Sequence, residues 1–169
     1  MKEITDPQTV LEILQPMLEW DLSSWKGLPR ITVEILSTAL GDPVKKEESM
    51  LGWHPAINYV YETKHPSGGL GAYVRTNNVV LVEVLNPPPL AAMKSLDGPT
   101  IIKPHEILDK RGYVHEYLYG DRGLILSILE PFDKSQPMQI IRCRGIKIIN
   151  SPEEFGPEFY QAFEDKMSW

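Results

Sequence analysis

Leu40-Gly41-Asp42-Pro43 returns later in the chain as Leu96-Asp97-Gly98-Pro99. Each copy is followed by a Tyr-x-Tyr run, a Gly-Leu turn and an apolar strand. In the first copy these are Tyr59-Val60-Tyr61, Gly69-Leu70 and residues 79–85; in the second they are Tyr117-Leu118-Tyr119, Gly123-Leu124, and residues 138–143 and 146–149. A supersecondary unit that cannot bury its own apolar face stacks on a copy of itself. The pattern therefore predicts an α+β fold of two tandem helix-plus-antiparallel-meander repeats in a single domain, 1–169. Repeat 1 spans 31–86 and repeat 2 spans 87–150, with helical extensions at 1–30 and 151–169.

Working outward, Val33, Ile35, Leu36, Ala39 and Leu40 keep a helical period, and Gly41 closes that helix with Pro43 two residues on. Residues 45–49 are charged and read as a solvated stretch. Strands follow at 57–62, 70–75 and 79–85, with Asn77-Asn78 as a tight turn and the polar Lys64 to Gly69 run as a flexible hairpin loop. Pro87-Pro88-Pro89 separates the copies, because consecutive prolines neither join a ladder nor continue a helix. Leu90, Ala91, Met93 and Leu96 then repeat the short helix. Arg142, Arg144 and Lys147 alternate with apolar residues, which predicts a solvated basic face on the last strands. At the start of the chain, Asp6-Pro7 reads as an N-cap and first helical residue, with Pro16 expected to kink or break the helix near Gln15. At the other end, Ser151-Pro152-Glu153-Glu154 is a capping-box pattern opening a helix that carries Phe155, Phe159, Tyr160 and Phe163.

The chain has 169 residues, 42% hydrophobic and 24% charged, which is the composition of an ordinary folded domain. Its 17 Lys and Arg are outnumbered by 23 Asp and Glu, giving a net charge of −6, and the basic residues form no run. Nucleic-acid binding is excluded on that balance, whereas a basic protein partner is compatible. Cys143 is the one cysteine, so no intrachain disulfide or cysteine-based zinc cage exists, and its apolar neighbours predict a buried, inert thiol. Met1-Lys2-Glu3-Ile4-Thr5-Asp6 lacks the apolar core of a secretory signal, and no apolar stretch is long enough to span a bilayer. The expectation is a cytoplasmic protein without a membrane association.

The order helix, Leu-Gly-x-Pro, meander, then the same again resembles the bacterial β-lactamase-inhibitor-protein architecture and the related small outer-membrane lipoprotein module. Residues 33–43 with 59–85, and 90–99 with 117–148, carry the likeness. The resemblance implies two small antiparallel sheets aligned into one concave, aromatic-rich binding face. Those inhibitors are secreted and disulfide-bonded, and those lipoproteins carry an acylated cysteine near the N-terminus. This chain departs on both counts, so β-lactamase inhibition is not carried over.

No catalytic signature accompanies the repeat. His54, His65, His105 and His115 make no compact ligand spacing, so no metal or cofactor is expected. No Gly-x-Ser-x-Gly elbow occurs, and Ser67-Gly68-Gly69-Leu70-Gly71 lacks the Lys-Ser ending of a phosphate loop. The aromatic residues are the better candidates. Trp53, Tyr59, Tyr61 and Tyr73 fall in one repeat; Tyr113, Tyr117 and Tyr119 fall in the other. Tyr59 and Tyr61 share a strand face, as do Tyr117 and Tyr119. With Asp121 and Arg122 at the second hairpin, Trp53, Tyr59, Tyr61, Tyr73, Tyr117 and Tyr119 are the candidate protein-binding residues, since Tyr and Trp supply rigid contact area with a polar tip. The leading reading is a non-catalytic binding module, of inhibitor or immunity type. The alternatives are a small-ligand protein or enzyme using His65, Arg75 and Asp121 between the repeats, and a subunit that self-associates as a homodimer through a sheet edge.

Overall fold

Asp6 caps the first helix, accepting from the Thr9 amide at 3.3 Å and the Thr9 hydroxyl at 2.8 Å, and Pro7 opens α1, Pro7–Leu18. The computed structural model describes residues 2–51, 54–99 and 101–149, and of residues 101 and 103–109 the backbone alone. Of the kink or break expected near Gln15, the break does not occur: α1 continues through Pro16. Its missing N–H costs one bond near the end of the helix, while Val10, Leu14, Met17 and Leu18 still bury one continuous stripe. The second helix, α2 (Val33–Leu40), starts at the Thr32 cap and stops at Gly41, whose φ of 89° and amide bond to the Ser37 carbonyl close the last turn.

Eight strands follow: β1 (Lys45–Leu51), β2 (His54–Glu62), β3 (Gly69–Arg75), β4 (Asn78–Val84), β5 (Ile101–Asp109), β6 (Gly112–Tyr119), β7 (Leu124–Pro131) and β8 (Gln139–Gly145). They form one open sheet in the order β1-β2-β3-β4-β8-β7-β6-β5, antiparallel at every pairing. It consists of two four-stranded meanders joined through their last strands, where Val82 faces Gly145 and Glu83 faces Arg144. Tyr61 lies opposite Leu70 in the first meander and Tyr119 opposite Leu124 in the second.

Four expectations change. Residues 45–49 are the solvent-side edge strand β1, because charged residues are what keep an unpaired edge soluble. The short helix of the second half is a single 3-10 turn, Leu90–Met93. Residues 146–149 are not a strand: the Ile146 amide donates to the Gly123 carbonyl and Ile149 to Gly120, so the turn between β6 and β7 captures this segment. The polar β2–β3 loop is anchored rather than loose, since the Ser67 amide donates to the Leu18 carbonyl and its carbonyl accepts from Asn86. Thr76 and Asn77, with φ of 48° and 69°, make the tight β3–β4 turn. The helix expected from Ser151 lies outside the described residues.

One face of the sheet carries the helices. Leu14, Met17 and Leu18 of α1 and Leu36 of α2 bury against Tyr61, Leu70, Ala72, Val82, Leu124, Leu126 and Cys143. The chain between the helices seals the middle of this layer: the Trp25 indole donates to the Gly123 carbonyl at 3.0 Å, and the Leu28 amide to Ile146. Gly145 lies beneath that indole, where a Cβ would come within 2.7 Å of Trp25 Cζ2 and Met17 Cε.

Candidate functional site

The tyrosines singled out by their spacing divide by burial. Tyr61 is 1% exposed beneath α2, its hydroxyl 2.7 Å from the Ser37 hydroxyl. Tyr119 is 4% exposed in the same core, and burial pushes its phenol up to about 12. Tyr73 is buried on the opposite face. Tyr59 and Tyr117 are half-buried at the flanks of the helix-side core, with the Lys46 ammonium 5.1 Å from the Tyr59 ring centre. Tyr61 and Tyr119 thus fill the layer between sheet and helix, Tyr73 is buried on the other face against Leu81 and Ala56, and none of the three offers contact surface. Trp53 lies outside the described residues. Asp121 is exposed, but Arg122 is structural: its guanidinium donates to the Ser23 carbonyl at 2.5 Å and the Trp25 carbonyl at 3.1 Å.

The exposed aromatic surface lies further along the same strand. Tyr113, His115, Tyr117 and Tyr119 alternate along β6 and so share the helix-side face, but only the last two reach the helix layer. Tyr113 is 42% exposed and meets Phe132, 45% exposed, edge to face at 5.2 Å between centroids. Ile102, opposite Tyr117 on β5, is 52% exposed. Beside them His115 Nε2 lies 2.8 Å from Glu130 Oε2, and Lys134 donates to Glu130 Oε1 at 3.1 Å. The hydrogen bonds from His115 and Lys134 hold the Glu130 carboxyl below its usual range. The period-two run of β6 was visible in the sequence. Phe132 was not, because residues 131–137 read as a connector, and Ile102 was not, because β5 has no tyrosine signature.

Of the expected solvated basic face, Lys147 is exposed beyond β8, but Arg142 and Arg144 instead form a buried ionic cluster on the sheet face away from the helices. Arg144 is 1% exposed and donates to Glu116 Oε2 at 2.8 Å and to Ser127 Oγ at 3.1 Å; the Ser127 hydroxyl also bonds the Glu116 carboxylate. Arg142 grips Glu83 in a two-pronged pair, Nε to Oε2 at 2.9 Å and Nη2 to Oε1 at 2.5 Å. Burial raises the Glu116 carboxyl above its usual range, opposed by Arg144 and Ser127, and lowers Arg144, opposed by Glu116. Alternation alone gave no sign of this, since the same pattern suits a solvated strand and one whose charges pair across strands.

The remaining chemistry is dispersed. His65 Nδ1 pairs with Glu19 at the α1 end of the sheet, whereas Arg75 ends β3, about 20 Å away along that strand. With Asp121 exposed at a turn of the other meander, these three do not converge. Among the described residues no three His, Cys, Asp or Glu side chains group closely enough to hold a metal ion. Cys143 is fully buried and its thiol is pushed up to about 12 by burial. A concavity of about 680 Å³ lined by Glu48, Met50, Pro55, Ile57, Val74 and Arg75 opens at one end of the first meander, not between the two halves. No described helix is long and apolar enough to cross a membrane. Comparisons with protein-family models, with curated proteins and with solved structures find no match.

Proposed function

We propose that this chain is a non-catalytic, cytoplasmic protein-binding module of inhibitor or immunity type, acting through the sheet surface outside the helix layer. The observation that carries the reading is the exposed Tyr113–Phe132 pair with Ile102 beside it, while the neighbouring Tyr119 is sealed in the core. Exposed aromatic pairs on a rigid sheet supply contact area at low entropic cost, the property that concentrates binding energy at interfaces. The partner is a basic protein, whose approach the net charge of −6 steers. The likeness to the β-lactamase-inhibitor architecture enters here as a proposal of common design, two duplicated helix-plus-meander units. The shared order of a helical segment followed by a four-strand meander supports it. Self-association through β1 is disfavoured by its exposed Lys45, Lys46, Glu47 and Glu48.

The test uses wild type and a Tyr113→Ala/Phe132→Ala variant as baits in native extract, followed by titration of the purified captured protein. Circular dichroism establishes that both baits fold. The reading expects a basic partner bound one to one, with affinity at least tenfold weaker for the variant and falling as salt rises. Equal affinity for the folded variant would move the interface elsewhere. A salt-independent or acidic partner would remove the charge argument.

A further inference from the structure

We propose that residues 151–169 of this chain close the sheet face away from the helices, apolar side inward. The apolar cluster on that face draws Tyr73, Leu81, Leu118 and Ile125 from four strands; among the described residues Ile146 and Ile149 join it from outside the sheet, and neither α1 nor α2 contributes a member. Leu118, Ile125 and Arg144 are nonetheless 1% exposed. Side chains in the middle of a sheet face are sealed to that degree by a second layer. Two buried polar atoms on the same face show what that layer brings. Arg144 Nε and Asn58 Oδ1 have no hydrogen-bond partner among the described residues, and a buried guanidinium N–H without an acceptor is costly. The chain itself supplies the occupant. The Ile149 amide donates to the Gly120 carbonyl at the β6–β7 turn, so the backbone is already on this face when it leaves the described residues, with 20 residues to follow. Phe155, Phe159, Phe163 and Met167 recur every four residues, one apolar stripe of a helix. In helical form residues 157–169 run about 20 Å, which matches the breadth of the sheet from β6 to β3, about 19 Å. Glu153, Glu154, Glu158, Glu164 and Asp165, against Lys166 alone, give the segment the acceptors that Arg144 lacks. Tyr113 points to the helix side, so the surface proposed for a partner stays open.

The experiment is a methyl–aromatic NOE spectrum of the full chain with labelled Ile and Leu methyls and Phe rings. It is repeated on an equal mixture of labelled and unlabelled protein with isotope filtering, so that only contacts between copies are seen. The first spectrum should show cross-peaks from Phe159 and Phe163 to Leu81, Leu118 and Ile125, with none to Leu14 of α1 or Leu36 of α2; the filtered spectrum should show none of them. In the full chain, Phe159→Ser/Phe163→Ser should bind several times more of a hydrophobic dye than wild type, at unchanged molecular mass. Cross-peaks to the helices, or none to the second face, would overturn the proposal. Cross-peaks in the filtered spectrum would overturn it too, making a second copy the occupant. A folded double variant with wild-type dye binding is equally fatal to it, and if that variant does not fold the wild-type spectra decide alone.

Discussion

Replacing Tyr61 by Ala separates a core tyrosine from a contact tyrosine. The ring is 1% exposed, lies opposite Leu70 under α2 and joins the Ser37 hydroxyl. Truncating a buried aromatic side chain to Ala costs about 3–5 kcal/mol, and losing the Ser37 hydrogen bond adds roughly 1 kcal/mol. Set against a total stability of about 5–15 kcal/mol for a domain, Tyr61→Ala takes a large share of the folding free energy. For a chain of this length, each kcal/mol moves the melting temperature by about 2–4 °C, so the midpoint should fall by roughly 8–24 °C. Tyr61→Phe removes only the hydroxyl and should cost about 1 kcal/mol. Tyr113→Ala, 42% exposed, loses the edge-to-face contact with Phe132, about 0.5–1.5 kcal/mol, beyond its partial burial. Thermal and urea unfolding followed by circular dichroism and tryptophan fluorescence measure all three on one scale. A Tyr61→Ala protein melting within about 2 °C of wild type, or a Tyr113→Ala protein losing more than Tyr61→Ala, would refute the assignment of core and contact surface.

Glu116 sets a pH dependence of definite sign. Burial raises its folded value above the unfolded 4.5, so the native state binds more protons in that window and Glu116 makes stability fall as pH rises through it. Urea midpoints from pH 4.5 upward should therefore drop less steeply for Glu116→Gln than for wild type; parallel curves would contradict the buried-carboxylate argument. Cys143 should be inert to a chromogenic disulfide reagent in the native state and react only at the rate of global unfolding, since its thiol is fully buried and pushed up to about 12. Rapid stoichiometric labelling of folded protein would show that the strand opens locally.

Where a residue's conformation depends on its neighbours in sequence, the reading was close. Asp6-Pro7 opened α1, Gly41 closed α2, and the tight turn expected at Asn77-Asn78 falls one residue earlier, where Thr76 and Asn77 take positive φ and Asn78 already begins β4. Caps and turns bond backbone groups within a few residues of themselves, which is why short spacings reveal them. Pro16 does not end the helix, because propensity counts its missing bond and cannot count the stripe that Met17 and Leu18 complete against the sheet. β1 was missed because an exposed edge strand shows no apolar alternation to detect.

The candidate surface was legible only in part. Period two along β6 determined that Tyr113, His115, Tyr117 and Tyr119 share a face, a consequence of backbone geometry that any structure built from this strand must obey. Which of them meets water depended on where the helix layer ends, and α1 and α2 cover Tyr61 and Tyr119 but leave Tyr113 bare. Arg142 and Arg144 make the same point. The sequence by itself determined that they lie on one face of β8, two residues apart. Only the tertiary structure decided that this face carries Glu83 from one meander and Glu116 from the other, because partners from β4 and β6 reach the arginines through strand order, which no local spacing encodes.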